Sequence, residues 1–187
     1  RVGWLENDVG FSLTDAETGR PVGVINDYVR LAGRTLGLKF ELVRFASQAE
    51  LLAGLKSREV DMVFHMNENP SAAEDYGVVL SDTVLRGPLA AVTAKAFFNE
   101  ADANRVAVEK TNLFAKWHVA YNYPAWTVIE KTSPEAVEMS VRKGESDCFL
   151  AKTGEITEYV DDAKLRPVFL TRAGNTAFAV NRGDTVL

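Results

Sequence analysis

The sequence predicts an α/β protein of two similar lobes, each a mixed sheet flanked by helices. Three observations carry that prediction: one segment occurs twice in the same order, a short strand precedes each copy, and the helix within each copy carries one apolar stripe. In the first copy Phe40-Glu41-Leu42-Val43 leads to Ser47-Gln48-Ala49-Glu50, then Leu51, Leu52 and Leu55, then Arg58-Glu59-Val60-Asp61-Met62-Val63-Phe64. In the second, offset by 86 positions from Ser47 to Ser133, Trp126-Thr127-Val128-Ile129 leads to Ser133-Pro134-Glu135-Ala136. Val137 and Val141 follow, then Gly144-Glu145-Ser146-Asp147-Cys148-Phe149-Leu150. Each copy reads strand, serine-capped helix, tight turn, strand.

Local chemistry supports each element. Ser47 and Ser133 are N-cap residues whose hydroxyls can accept from first-turn amides, Pro134 suits the first helical position, and Glu50 stands at capping-box distance from Ser47. Leu51, Leu52 and Leu55, like Ala136, Val137 and Val141, place one helix face against a sheet. Met62-Val63-Phe64 and Cys148-Phe149-Leu150 are apolar throughout, as parallel strands covered on both faces require. A strand-helix-strand unit of this length is a right-handed crossover.

Before the repeat, Arg1 to Leu5 and Arg105 to Glu109 are matching strands, each followed by a polar loop and a helical segment. The first helix is expected over Asn26 to Leu36, with Gly37 in the stop position, and its weaker counterpart over Leu113 to Tyr121. Gly87 to Ala94 leads out of lobe one, and Gly174-Asn175-Thr176 leads back into Ala177 to Val180. Lobe one is therefore discontinuous, residues 1–88 and 176–187, with lobe two over 89–175 and two hinge crossovers between them. Ligands of open α/β sheets lie beyond the strand carboxyl ends. The expected site is thus a cleft between lobes.

Composition narrows the function. At 47% hydrophobic and 25% charged, 187 residues can bury a core. A net charge of −5 without a Lys/Arg cluster interleaved with aromatics argues against nucleic acid as a partner. No run of eighteen apolar residues is present to span a membrane. No secretory signal is present, and because the chain opens directly on a strand, removed upstream sequence is expected. The single cysteine, Cys148, falls in a buried strand and reads as a core thiol.

The order of elements carries a family resemblance. The opening strand and Phe11, then Gly19-Arg20-Pro21-Val22-Gly23-Val24-Ile25-Asn26-Asp27, Asp61-Met62-Val63 and Val79-Leu80-Ser81-Asp82 resemble a type II periplasmic solute-binding protein of the amino-acid-binding kind, solute-binding family 3. The resemblance covers nearly the whole chain and implies a Venus flytrap fold closing on a small polar solute in the periplasm. It also exposes two departures. Amino-acid-binding members carry an arginine, seven positions before the serine of the Phe-Ser-x-Pro-Tyr segment, that takes the ligand carboxylate. Here that position is Glu74, and the family's second-lobe acid falls on Lys152. Three readings of this reversal stand open. Both positions are solvated surface and the loop alignment is offset by one; or they meet across the cleft as an ion pair, worth about 0–1 kcal/mol if exposed; or the ligand is not an α-amino acid.

Candidate ligand residues follow from loops at strand carboxyl ends: Asn7, Asp8 and Phe11 after the first strand, with Glu6 beside them and Trp4 near Phe11; His65, Asn67 and Glu68, with Met66, after Phe64; and Glu74 beyond them. Arg86 at the crossover is the anion anchor that remains, alongside Leu85. Lobe two offers Thr111 and Asn112, whose amides at a helix start suit a carboxylate, and Lys152 with Thr153.

Catalytic and metal readings are poorer. His65 and His118 are the only histidines, with no zinc-like spacing, and no cofactor motif or nucleophile elbow occurs. Asp61 and Asp147 open strands after turns in both copies and read as turn ties. A few family relatives are dehydratases with a cleft acid, for which Glu68 or Glu74 is the candidate here. The expected function is an extracytoplasmic, ligand-binding sensor domain of a bacterial membrane receptor, binding a small polar or anionic solute. A compact second lobe and Tyr123 to Val137 resemble the flytrap modules of sensor kinases and cyclic-di-nucleotide enzymes. The chain stops at Asn181 to Leu187, where the family begins a closing helix, so a downstream transmembrane signalling segment is expected, with a homodimer left open. The alternative is a free periplasmic subunit of an ABC transporter.

Overall fold

The computed structural model describes residues 1–6 and 11–184, the side chain of His65 excepted. The chain divides into two compact units, Arg1–Leu85 with the chain from Thr176 onward, and Arg86–Asn175.

Unit 1 is built on a five-stranded sheet. Strands β1 (Val2–Leu5), β4 (Leu42–Phe45), β5 (Met62–Asn67), β6 (Val78–Leu80) and β12 (Thr176–Asn181) stand in the order β4-β1-β5-β12-β6. β1 runs parallel to both β4 and β5, pairing Val2 with Leu42 and with Met62. β12 returns antiparallel between β5 and β6, with its register shifting at Phe178. A small hairpin, β2 (Leu13–Thr14) with β3 (Pro21–Val22), stands beside the sheet where a polar loop is expected.

Helix α1 (Val24–Leu36) begins two residues ahead of the expected Asn26 because the main chain starts it. Gly23, at φ +109°, is the N-cap without a side-chain bond, and the Ile25 amide donates to Phe11 O at 3.2 Å. A Cβ on Gly23 would stand 2.6 Å from Phe11 O, so only glycine lets the Phe11 loop lie against the helix start. The inner face of α1 then buries Ile25 and Val29 with Val2, Trp4, Phe64 and Phe178. On the other face, α2 (Gln48–Lys56) lies close to the sheet because Gly3 has no side chain: a Cβ there would meet Leu51 at 2.7 Å and Phe45 at 3.0 Å. Helix α3 (Pro70–Tyr76) is capped by Asn69 Oδ1, which accepts from the Ser71 and Ala72 amides, and ends on left-handed Gly77.

Unit 2 repeats the plan. Strands β7 (Leu89–Thr93), β8 (Arg105–Glu109), β9 (Thr127–Lys131), β10 (Cys148–Lys152) and β11 (Arg166–Phe169) stand in the order β11-β7-β10-β8-β9. β8, β9 and β10 are parallel, whereas β7 runs antiparallel to β10 and β11. Helices α4 (Leu113–Asn122) and α5 (Pro134–Arg142) cover the sheet, and a short α6 (Thr153–Ile156) follows β10. One face buries Val106, Val108, Phe114, Val119 and Trp126 with Cys148, and the other Ala107, Val137, Val141, Phe149 and Leu165. Burial raises the Cys148 thiol pKa well above its ordinary value, which fits an inert core residue.

The two copies of the repeat share their fastenings. Ser47 Oγ accepts from the Glu50 amide and Ser133 Oγ from the Ala136 amide, each at 3.2 Å. Glu50 reaches back to the Ala46 amide, one residue beyond the expected capping box. Asp61 Oδ2 accepts from the main-chain nitrogen of Arg1, and Asp147 Oδ2 from that of Arg105 at 2.7 Å, so both aspartates tie their turn to the opening strand. Even the turn is conserved in conformation: Arg58 at φ +62° occupies the place of Gly144 at φ +74°.

Candidate functional site

In unit 1 the carboxyl end of β5 gathers buried polar atoms. Asn67, the last residue of β5, pairs in register with Thr176, the first of β12. Thr83 lies alongside, because the Val84 and Leu85 amides both donate to Thr176 O, at 2.9 and 3.2 Å. Asn67 Nδ2, Thr83 Oγ1 and Thr176 Oγ1 are all buried, and none has a hydrogen-bond partner among the described residues. A buried polar group without a partner costs about 1–3 kcal/mol, so three in one place need an explanation. Together they offer an amide N–H donor and two hydroxyls that can donate or accept, a set suited to a small hydrogen-bonding solute.

Other unit 1 candidates surround this cluster in sequence but differ in setting. Phe11 is half-buried and pinned through its carbonyl to α1. Trp4 is buried in the core and cannot wall a site. Glu68 and Glu74 are exposed. Asn7 and Asp8 lie outside the described residues, as does the His65 side chain.

In unit 2 the candidates converge at the ends of β8 and β10. Asn112 Oδ1 caps α4 by accepting from the Ala115 amide at 2.9 Å, and Thr111 Oγ1 donates to Glu109 at 3.0 Å. Lys152 Nζ stands 4.8 Å from the centre of the Phe114 ring, in the first turn of that helix. Thr153 Oγ1 lies 3.4 Å from Pro88 O. Arg86, the first residue of the unit, is exposed and has no ion pair among the described residues. These groups bring together the Lys152 ammonium over an aromatic face, the Arg86 guanidinium, the Glu109 carboxylate and neutral polar groups.

Behind Phe114 runs a series of ring contacts. Phe114 stacks with His118 at 6.2 Å, His118 meets Tyr123 at 5.8 Å, and Tyr123 stacks on Trp126 at 4.4 Å. Burial lowers the His118 pKa to about 4, so the ring is neutral near pH 7. Burial, and then the charge of Glu100, raise the Tyr123 pKa to about 12. Among the described residues, no three His, Cys, Asp or Glu side chains group as metal ligands would.

Sequence reasoning named Asn67 as a candidate from its place after Phe64 but did not name Thr83, Thr176 or Phe114. Thr176 and Thr83 become neighbours of Asn67 only through the antiparallel return of β12. Phe114 carried a usable signal, being two residues beyond the helix cap Asn112.

Two α/β units, each a mixed sheet with parallel crossovers, the first completed by β12 on the chain's return, fit the type II periplasmic binding, or Venus flytrap, class. The chain belongs to the bacterial extracellular solute-binding proteins, family 3, whose model matches residues 1–185. It is therefore an extracytoplasmic solute-binding domain. Among solved structures it is similar to the periplasmic VFT2 domain of BvgS from Bordetella pertussis, with a TM-score of 0.73 and 24% identity over 98% of this chain and 82% of that one. An ancestral arginine-binding protein bound to arginine matches with a TM-score of 0.71 and 20% identity, over 99% of this chain and 85% of that one. The ancestral amino-acid-binding protein AncCDT-1, a precursor of cyclohexadienyl dehydratase, matches with a TM-score of 0.69 and 19% identity, over 98% and 81%. Likeness at these identities establishes the fold. No curated protein matches the sequence. No helix among the described residues is long and apolar enough to cross a membrane.

Proposed function

We propose that this chain is the ligand-binding sensor domain of a bacterial membrane signalling receptor, taking a small polar or anionic solute on the strand-end loops of its units. The observation that carries the reading is the trio Asn67 Nδ2, Thr83 Oγ1 and Thr176 Oγ1, buried and without hydrogen-bond partners among the described residues. Such a cluster weakens the fold unless a bound molecule satisfies it. Glu74 in place of the carboxylate-reading arginine, and Lys152 in place of the ammonium-reading acid, support a ligand other than an α-amino acid. The likeness to the BvgS domain supports the sensor role, with a membrane segment beyond this domain, over a free transport subunit. The amino-acid-binding neighbours favour that second reading, in which the same pocket delivers solute to a permease. Glu68 and Glu74, the alternative candidates for a dehydratase's cleft acid, are both exposed to water, which favours binding over catalysis.

The test is a thermal-shift screen of small polar and anionic solutes on the native chain and on Asn67→Leu. Leucine shares the branched four-heavy-atom outline of asparagine but is bulkier and carries no polar group, so the variant, once shown to be folded by circular dichroism, is expected to lose about tenfold or more in affinity for any solute found. A solute that binds the variant equally well would take Asn67 out of the site. Ordinary L-amino acids are expected to give no shift, and a clear shift with any of them would reinstate the amino-acid reading.

A further inference from the structure

A groove opens on unit 1 at the amino end of β4, away from the strand carboxyl ends. It lies between α1 and the segment entering β4, with a volume of about 360 Å³. Its floor is apolar, from buried Val29 and half-buried Phe40 and Leu42. Gly33 shapes it: the Leu38 amide donates to Gly33 O at 3.0 Å, and a Cβ on Gly33 would stand 2.9 Å from Leu38 O. The chain thus folds back tightly against the helix. Arg30, Arg34 and Lys39 line the rim, all exposed and without an ion pair among the described residues.

The charge is local. From Tyr28 to Phe40 the chain has three cations and no acid, within a protein of net charge −5. Large aliphatics accompany them in the open: Leu31 and Leu36 are each 64% exposed and Leu38 is 55% exposed. A free inorganic anion would use the cations and leave the leucines in water. An anionic bilayer surface uses both, with phosphates against the cations and leucines among the acyl chains.

The geometry points to a membrane-facing site in which Arg30, Arg34 and Lys39 hold anionic phospholipid headgroups while Leu31 and Leu38 enter the interface. This site is separate from the solute pocket and stands whether or not that reading holds. It would orient the domain against the bilayer.

Each cation close to an anionic surface contributes about fivefold to partition. Co-sedimentation of the chain with vesicles of phosphatidylglycerol and phosphatidylcholine, against phosphatidylcholine alone, tests the assignment. Binding is expected only to the anionic vesicles, fading with added salt. It should weaken about a hundredfold in the triple variant R30Q/R34Q/K39Q, whose exposed positions leave folding unchanged by circular dichroism. Leu31→Ser with Leu38→Ser, which keeps the charge, is expected to weaken it as well. Equal binding to both vesicle types, or undiminished binding by the triple variant, overturns the assignment. So does a response of the groove to inorganic phosphate or to an acidic helical peptide with none to vesicles.

Discussion

Replacing Asp147 with asparagine tests the tie between the turn and the sheet of unit 2. The Asp147 side chain is only 11% exposed, and that burial alone would raise its pKa. Arg105 outweighs this through its side chain and its main-chain amide, with Lys95 Nζ at 3.0 Å adding to the effect, and the carboxyl is held at about 2 against an ordinary 3.8. At about 1.4 kcal/mol per pH unit, that difference corresponds to about 2 kcal/mol of folding stability. The native carboxyl is the stronger acid, so the unfolded chain takes up protons first as pH falls. The contribution is complete above about pH 5, and it disappears as pH drops through 4 toward 2. Lys95 and Arg105 are about half exposed, so removing the acid leaves no buried, unpaired cation to add to the loss. Urea unfolding of Asp147→Asn is therefore expected to show a deficit of about 2 kcal/mol at neutral pH that closes on acidification. Equal stability at pH 7, or a deficit unchanged at pH 2, would refute the reasoning.

His118, whose burial lowers its pKa from 6.5 to about 4, should cost stability as pH falls from 6.5 toward 4, by at most about 3 kcal/mol. His118→Phe, stacking in the same place between Phe114 and Tyr123, is expected to flatten urea midpoints between pH 6.5 and 5, and an unchanged slope would exonerate the histidine. Gly144 is left-handed with nothing within 4 Å of an added Cβ, so Gly144→Ala should lose only conformational energy, about 1–2 kcal/mol in denaturation. Arg58→Gly, at the matching position, should gain up to about 1 kcal/mol, less whatever the exposed pair with Asp184 at 3.3 Å contributes. Should the solute prove anionic, Arg86→Ala is expected to weaken it about tenfold by calorimetry, and an unchanged affinity would exclude Arg86 from the site.

The repeat made much of this architecture legible, because its signals are local. Ser47 and Ser133 announce helix starts through their own hydroxyls, and the apolar runs at Met62 and Cys148 announce buried strands. Helix α3 carries signals just as local, Asn69-Pro70 before it and Gly77 after it, a cap, a first-turn proline and a left-handed stop, although no helix was expected there. What local pattern does not contain is the partner of a strand. β12 meets β5 across more than a hundred residues, and that pairing alone brings Thr176 and Thr83 beside Asn67. Lys152 shows the same limit. Its charge reversal is visible in the sequence, but its seat over Phe114 depends on β10 and α4 meeting in three dimensions. The groove is equally beyond local pattern, because Arg30, Arg34 and Lys39 come together only where α1 packs beside the segment entering β4.

The central claim is that Asn67 and its two threonine neighbours receive a solute. The most direct measurement is the side-chain amide signal of Asn67 in two-dimensional NMR spectra of the labelled chain, titrated with each solute that the thermal screen returns. A binding solute is expected to shift and saturate that signal in step with its affinity, and to bind Asn67→Leu about tenfold or more weakly when followed by backbone resonances. A solute that saturates other resonances while leaving the Asn67 amide unmoved would contradict the account.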